Sequence, residues 1–263
     1  MDMRKSRVLE KVRAGGIATC YKTNLIDGRA VEIAALAGFD CIWSDMEHTA
    51  NDWSTIEHHV WAAKSAGADL VVRVARGSYS DYIRPFELDA SGLIVPHVMS
   101  RAEAEQVARM TRFMPVGRRA IDGGNADGRY CNMDYAEYTR QANRERFVIV
   151  QIEDFEAMAE LEGIAAVAGI DGLFFGPGDF SHSLGIPGQW SDTRIADARR
   201  RIAAAAVAHG KFAATVGSPG NLEELVGMGY RFVSLGADVI AIGEQCRTIL
   251  EAVRPILARN GKR

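Results

Sequence analysis

Eight short apolar or β-branched runs alternate with amphipathic stretches along a chain of 263 residues. No other feature narrows the possible folds so far. The runs fall at residues 17–23, 41–47, 70–75, 92–98, 147–153, 172–178, 212–217 and 232–238. Each has the length of a strand, and the segments between them, such as TIEHHVWAAKSAG, RAEAEQVARMTRF and RIADARRRIAAAAVAHG, carry apolar residues at helical spacing. Several of these segments close on a glycine, where a helix C-cap belongs. Parallel strands need a crossover between them, and eight strand–helix units in series predict a (β/α)8 TIM barrel. An open doubly wound sheet is the competing arrangement, but no G-x-G-x-x-G follows the first strand and no Walker lysine loop occurs. No linker interrupts the pattern, so residues 1–263 read as a single domain. Its one insertion, at about 115–146, contains GRRAIDGGNADGRY and is either a functional loop or a disordered tip.

Charge excludes some partners. The formal net charge is −3, with Lys and Arg interspersed among Asp and Glu, so neither nucleic acid nor an anionic membrane surface is expected to bind. The N-terminal MDMRKSRVLEKVRAGG is charged throughout, unlike a signal peptide, and no apolar run approaches the roughly 20 residues that span a bilayer. A cytoplasmic protein acting on a small molecule is the expectation. Cys20, Cys41, Cys131 and Cys246 lack metal-site spacing and read as buried free thiols.

Enzyme barrels place their chemistry at the C-terminal ends of the strands, and four strands here end in groups that packing does not require. The second ends in Asp45 and Glu47, followed by His48; the third carries Arg73; the fifth ends in Gln151 and Glu153; the sixth runs into GPGDFS. Period-2 alternation puts Gln151 and Glu153 on one face. Adjacent strands lie about 4.8 Å apart, so Glu153 and Asp179 can flank one cation, and two carboxylates with open positions suit a hard ion such as Mg2+ or Mn2+. Taken singly, Asp154 and Asp179 serve equally well as helix N-caps, His48 as a loop histidine and Arg73 as an ion-pair partner, while His58 and His59 read as ordinary helix residues. Their convergence on one rim favours a site. Gly176 and Gly178 let the backbone approach a ligand, and the amides near Asp179 suit a carboxylate, which makes a short keto acid a natural occupant. Lys22 is the only strand-end lysine available for Schiff-base chemistry and reads rather as a rim cation.

In order along the chain, AGFDCIWSDMEH, VVRVA, GLIVPHV, VQIEDFEAM, GIDGLFFGPGDFSHSLG and GYRFVSLGAD resemble the HpcH/HpaI aldolase family. The resemblance implies a barrel of the phosphoenolpyruvate/pyruvate-domain type and a divalent-metal-dependent aldolase, using Mg2+, Mn2+ or Co2+. Such an enzyme cleaves or forms 4-hydroxy-2-oxo acids, with pyruvate enolate as nucleophile and an aldehyde as acceptor. It further implies Glu153 and Asp179 as metal ligands, Gln151 and Gly178 as keto-acid contacts, His48 as base and Arg73 as the stabiliser of enolate charge. Asp45 would orient His48, and Asp89 would reach that histidine across a subunit contact. A homo-oligomer, a hexamer built from dimers that exchange the last helix within 241–260, is implied as well. An oxaloacetate decarboxylase using the same metal site is the alternative enzyme, and a non-catalytic ligand-binding barrel is the alternative of another class. RRAIDGG stands where many members read R-G-x-G, and the first strand ends in CYKTN, which leaves the acceptor open.

Overall fold

The structure is a computed structural model that describes residues 1–260, and its eight strands close into one parallel barrel in chain order. The strands are β1 (Ala18–Thr23), β2 (Cys41–Asp45), β3 (Asp69–Arg73), β4 (Gly92–Val95), β5 (Phe147–Ile152), β6 (Gly172–Phe175), β7 (Phe212–Gly217) and β8 (Tyr230–Ala237). Helix α1 (Arg7–Arg13) precedes the barrel; α2 (Gly28–Leu36), α3 (Trp53–Ser65), α4 (Tyr79–Glu87) and α5 (Arg101–Thr111) follow the first four strands. After them come α6 (Tyr135–Glu145), α7 (Leu161–Ala165), α8 (Pro177–Ser183), α9 (Thr193–Ala208), α10 (Leu222–Gly227) and α11 (Asp238–Asn260). The (β/α)8 expectation therefore holds.

Alternation along each strand divides the core in two. Cys20, Cys41, Trp43, Val71, Ile94, Ile149, Phe174, Ala214 and Phe232 fill the barrel interior, while Ile42, Leu70, Leu93, Val148, Leu173 and Val233 pack outward against the helices. Val8 and Leu9 of α1 join the interior cluster and plug the N-terminal end. Carboxylates at the starts of strands fasten that end. Asp40 takes Arg7 and Lys11 at 2.8 Å each, and Asp69 takes Arg4 at 2.8 Å. Asp171 pairs with Arg112.

Asp89 belongs to this same end and corrects the expectation placed on it. It precedes β4, is fully buried, and its carboxylate pairs with Lys64 at 2.5 Å and with Arg146. A carboxylate enclosed by its own chain at the N-terminal end of the barrel cannot reach the histidine of another subunit. Its role is to hold α3 and the start of β5 to the barrel floor.

The insertion is ordered by a buried ion pair. Arg119 donates to Asp127 at 2.8 Å and lies over the Phe113 ring at 4.7 Å, while the Tyr138 hydroxyl donates to the same Asp127 oxygen at 2.7 Å. The GRRAIDGG stretch is thus a fixed loop. All four cysteines are free; Cys20 and Cys41 are buried as expected, and Cys131 and Cys246 are exposed. Helix α11 leaves the barrel with Ile249, Leu250, Ile256 and Leu257 at least half exposed. No helix among the described residues is long and apolar enough to cross a membrane.

Candidate active site

The register of β2 against β3 sets Asp45 directly opposite Arg73 at the C-terminal rim. Asp45 is fully buried, its Oδ1 accepting from Arg73 Nε at 3.0 Å and its Oδ2 pairing with Nη2. Lys22, from the end of β1, brings Nζ to 2.9 Å from the same Oδ2, and Glu47 stands 3.0 Å from Arg73 Nη1. Beneath them the Trp43 ring lies 5.0 Å from Lys22 Nζ and 4.9 Å from Arg73 Cζ. Burial alone pushes the Asp45 carboxyl up, but Arg73 and Lys22 outweigh it and hold the group down at about 2.

His48 occupies the loop that follows β2 and is more than half exposed. Asp45 does not orient it: the Asp45 oxygens go to Arg73, Lys22 and the Glu47 amide, the last at 3.0 Å. The carboxylate nearest His48 Nε2 is Glu47, at 3.5 Å. The loop itself is tied down through the Asp45 carbonyl, which accepts from Thr49 and, at 2.8 Å, from Asn51 Nδ2. Lys22 stands in an ion pair with Asp45 rather than free as a Schiff-base lysine.

Across the mouth, Gln151 and Glu153 point inward together as alternation requires, and both are almost wholly buried. Gln151 Nε2 donates to Glu153 Oε2, leaving Gln151 Oε1 buried without a partner, and the His97 amide donates to Glu153 Oε1 at 3.0 Å. Burial pushes the Glu153 carboxyl up to about 7; His97 and Arg73 oppose the rise and Asp179 adds to it. Asp179 sits in the first turn of α8, half-buried, as the third helical residue rather than the N-cap. No side chain bonds to it among the described residues. Gly178 beside it is exposed with open space next to it. Gly176 is confined: a Cβ there would lie 2.5 Å from Glu153 Oε2 and 2.8 Å from Gln151 Nε2.

Among the described residues no three His, Cys, Asp or Glu side chains form a ready metal cluster. A divalent ion nevertheless fits the donors present. Two carboxylates repel each other, one of them has no partner, an amide oxygen is orphaned beside them, and Gly176 keeps side-chain bulk away. Such a set suits a hard cation that takes its remaining ligands from water and substrate.

His97 is the site residue that sequence reasoning passes over. It follows β4 with φ +53°, a left-handed conformation unusual for a side-chain-bearing residue, and turns its ring into the carboxylates. Nδ1 lies 2.9 Å from Asp154 Oδ2, and Nε2 lies 3.5 Å from Glu47 Oε1. Asp154 therefore serves His97 and not the short 3-10 helix Phe155–Ala159 that it precedes, which has no side-chain cap bond. Burial lowers the tendency of His97 to protonate, but Asp154, Glu153 and Glu47 outweigh it and raise its pKa.

The sequence profile of the HpcH/HpaI aldolase/citrate lyase family matches residues 24–243, a span that contains every rim residue except Lys22. The chain belongs to that family. HpcH/HpaI members are enzymes, and two relatives of this chain are aldolases. The hydroxypyruvate/pyruvate aldolase of Pseudomonas aeruginosa is 30% identical over 98% of this chain and 94% of its own length. The 5-keto-4-deoxy-D-glucarate aldolase of Shigella dysenteriae is 30% identical, with 86% of each chain covered. A solved structure of an HpcH/HpaI aldolase/citrate lyase family protein from Burkholderia cenocepacia superposes with a TM-score of 0.87 at 29% identity, covering 95% of this chain and 99% of that one.

Proposed function

We propose that this HpcH/HpaI member is a divalent-metal-dependent, class II aldolase, a single barrel of the phosphoenolpyruvate/pyruvate-domain type. It cleaves or forms 4-hydroxy-2-oxo acids, with pyruvate as the enolate-forming partner and an aldehyde as the acceptor. The observation that carries this reading is the partnerless Asp179 carboxylate set against the buried Glu153, with a fixed guanidinium at the same rim. Glu153 and Asp179 would hold the ion, Mg2+, Mn2+ or Co2+, which when bound supplies Lewis-acid polarisation of a keto oxygen.

This chain's own groups do the remaining work. Arg73, locked by Asp45 and Glu47, keeps a permanent positive charge where the keto oxygen gains negative charge, and needs no reorganisation to do so. Gln151 anchors Glu153 through Nε2, and its buried, unpartnered Oε1 would border the keto acid. Gly178, exposed with open space beside it, would offer its amide to the carboxylate end of the keto acid. His48, exposed on the rim and flanked by Glu47, takes or returns the methyl proton of pyruvate.

The apolar residues exposed on α11, together with Ile33 and Leu36 exposed on α2, support a homo-oligomer, a hexamer of dimers that exchange α11. The free thiols of Cys20 and Cys41 suit a cytoplasmic location.

Pyruvate methyl-proton exchange in deuterated buffer tests the central reading. Exchange is expected with Mg2+ or Mn2+ in the wild type and is expected to disappear in Glu153→Ala and His48→Ala. A wild type inert with every divalent ion would remove pyruvate as the nucleophile.

A further inference from the structure

We infer that Trp43 is a positioning residue, whose indole face holds the Arg73 guanidinium by a cation–π contact at the place where enolate charge develops. The inference rests on the aldolase reading, in which Arg73 meets that charge, and adds a residue to which that reading gives no part.

Strand register brings the groups together. Trp43 pairs with Lys22 of β1 on one side and with Val71 of β3 on the other, and Arg73 stands two residues beyond Val71. Trp43 and Val71 belong to the barrel interior, so alternation sends Arg73 to the same inward face, one layer nearer the rim than Trp43. The guanidinium carbon lies 4.9 Å from the centre of the indole and the Lys22 ammonium nitrogen 5.0 Å, both within cation–π range. The indole also meets Phe174 of β6 edge to face, with centroids 5.4 Å apart, and Phe174 is paired in register with Gln151. Trp43 thus connects the cations of β1 and β3, beneath the mouth, to the strands that carry the carboxylate side of the site.

Tryptophan carries a penalty at this position. The side chain is 3% exposed, and its Nε1 is buried without a hydrogen-bond partner among the described residues. A buried N–H left unpaired lowers stability, and leucine or phenylalanine would avoid that loss. The indole is therefore not present for its donor. What it offers over either is the strongest π face of any side chain, and two cations lie against it. Those cations share one partner: Lys22 Nζ stands 2.9 Å from Asp45 Oδ2, the oxygen that also pairs with Arg73 Nη2. Two like charges on one oxygen repel each other. The electron-rich indole face offsets that repulsion and restrains the guanidinium against displacement by the ammonium.

The test compares pyruvate methyl-proton exchange in the wild type, Trp43→Phe and Trp43→Leu, with Trp43→Met in place of the last if the smaller side chain unfolds the barrel. Loss of a desolvated cation–π contact corresponds to about a 5- to 30-fold effect, so kcat for exchange is expected to fall by that factor in Trp43→Leu with KM little changed. Trp43→Phe, which keeps a weaker π face, is expected to recover part of the loss. Equal losses in the aromatic and aliphatic variants, or no loss in either, would overturn the inference and leave Trp43 as packing. A second readout needs neither metal nor turnover. A guanidinium held against an indole has its Nε proton shifted upfield by the ring current, so the arginine Nε–H resonance that disappears in Arg73→Lys is expected upfield in the wild type and downfield of that position in Trp43→Leu. An Arg73 resonance that does not move between the two also overturns the inference. A wild type that shows the shifted resonance but no exchange removes the aldolase reading instead, and the two failures are thereby distinguished.

Discussion

Asp45 grips Arg73 by two edges of its guanidinium, with Nε donating to Oδ1 at 3.0 Å and Nη2 to Oδ2, from directly paired positions of neighbouring strands. Both side chains are buried, so the pair is screened from solvent and its geometry is set by the barrel itself. Removing one partner strands the other charge. Asp45→Asn is expected to destabilise the fold by about 3–5 kcal/mol, the usual cost of breaking a buried pair, with Glu47 left as the only carboxylate on Arg73. Urea unfolding at pH 7 checks this, and a loss under about 1 kcal/mol would show that the pair is effectively solvated. The pH dependence has a definite sign. The Asp45 carboxyl is lowered from 3.8 to about 2, so its contribution is full above pH 3.8 and is lost as pH falls towards 2.

His97 is held by its backbone as much as by its ring. Its left-handed φ of +53° aims the amide at Glu153 while Nδ1 meets Asp154. Asparagine tolerates that backbone and valine does not. His97→Asn is expected to keep the fold and the amide contact but to lose the Asp154 bond, lowering kcat by about 10-fold, as the loss of one positioning hydrogen bond does. His97→Val is expected to cost a further 1–3 kcal/mol, roughly, in stability from backbone strain. Thermal melting beside steady-state rates separates the two effects, and equal melting temperatures for both variants would show that the conformation carries no constraint.

How much of this was legible in the sequence depends on the range of the contacts involved. The strands are legible because apolar runs of four to eight residues bounded by helical periodicity leave few alternatives, and Asp45, Arg73, Gln151, Glu153 and Asp179 follow from the rule that barrel chemistry sits at strand ends. His97 escapes the sequence because residues 92–98 read as one unbroken strand, whereas β4 stops at Val95 and the backbone becomes left-handed at His97. A histidine directly after a strand-ending proline is a signal that could have marked it. Asp89 misleads for the opposite reason. Nothing in FELDASG distinguishes a rim acid from a floor acid, and only the long-range contacts to Lys64 and Arg146 do so. The orientation of His48 fails likewise, since the local D-x-E-H spacing cannot show that Arg73 and Lys22 have already taken the oxygens of Asp45.

His59 gives the molecule an acid-sensitive point away from the site. Its ring is fully buried between α3 and β2, with Nδ1 2.8 Å from Ser44 Oγ. Burial lowers its pKa below 6.5, against the weaker pull of Asp238 and Asp27. The unfolded chain therefore takes up a proton that the folded one refuses, and stability is expected to fall as pH drops below 6.5. Glu153 and His97, whose pKa values are raised, act with the opposite sign over part of this range. The comparison must therefore be differential: between pH 7.5 and 5.5, about the range in which an ordinary histidine titrates, the melting temperature of His59→Gln should drop less than that of the wild type. An identical drop would mean that His59 is charged in the folded state.

Gly176 bears most directly on the metal reading, because its role can be measured without turnover. It ends the β6 side of the site with no side chain, and a Cβ added there would meet Glu153 Oε2 at 2.5 Å and Gln151 Nε2 at 2.8 Å. Neither neighbour can retreat freely: Glu153 is pinned by the His97 amide at 3.0 Å, and Gln151 is almost wholly buried on β5. Gly176→Ala is thus expected to displace the carboxylate by several tenths of an ångström or more. Hard cations depend strongly on ligand placement, so Mn2+ affinity measured by titration calorimetry or electron paramagnetic resonance should fall by at least about 10-fold, in line with the cost of disturbing the groups that orient a metal ligand. The barrel should still melt cooperatively, since the added methyl points into the mouth and not into the helix–strand core. Wild-type Mn2+ affinity in Gly176→Ala would show that Glu153 does not bind the ion in the position seen here, and would redirect the search for the second ligand to Glu47 and Asp154, the other carboxylates around His97.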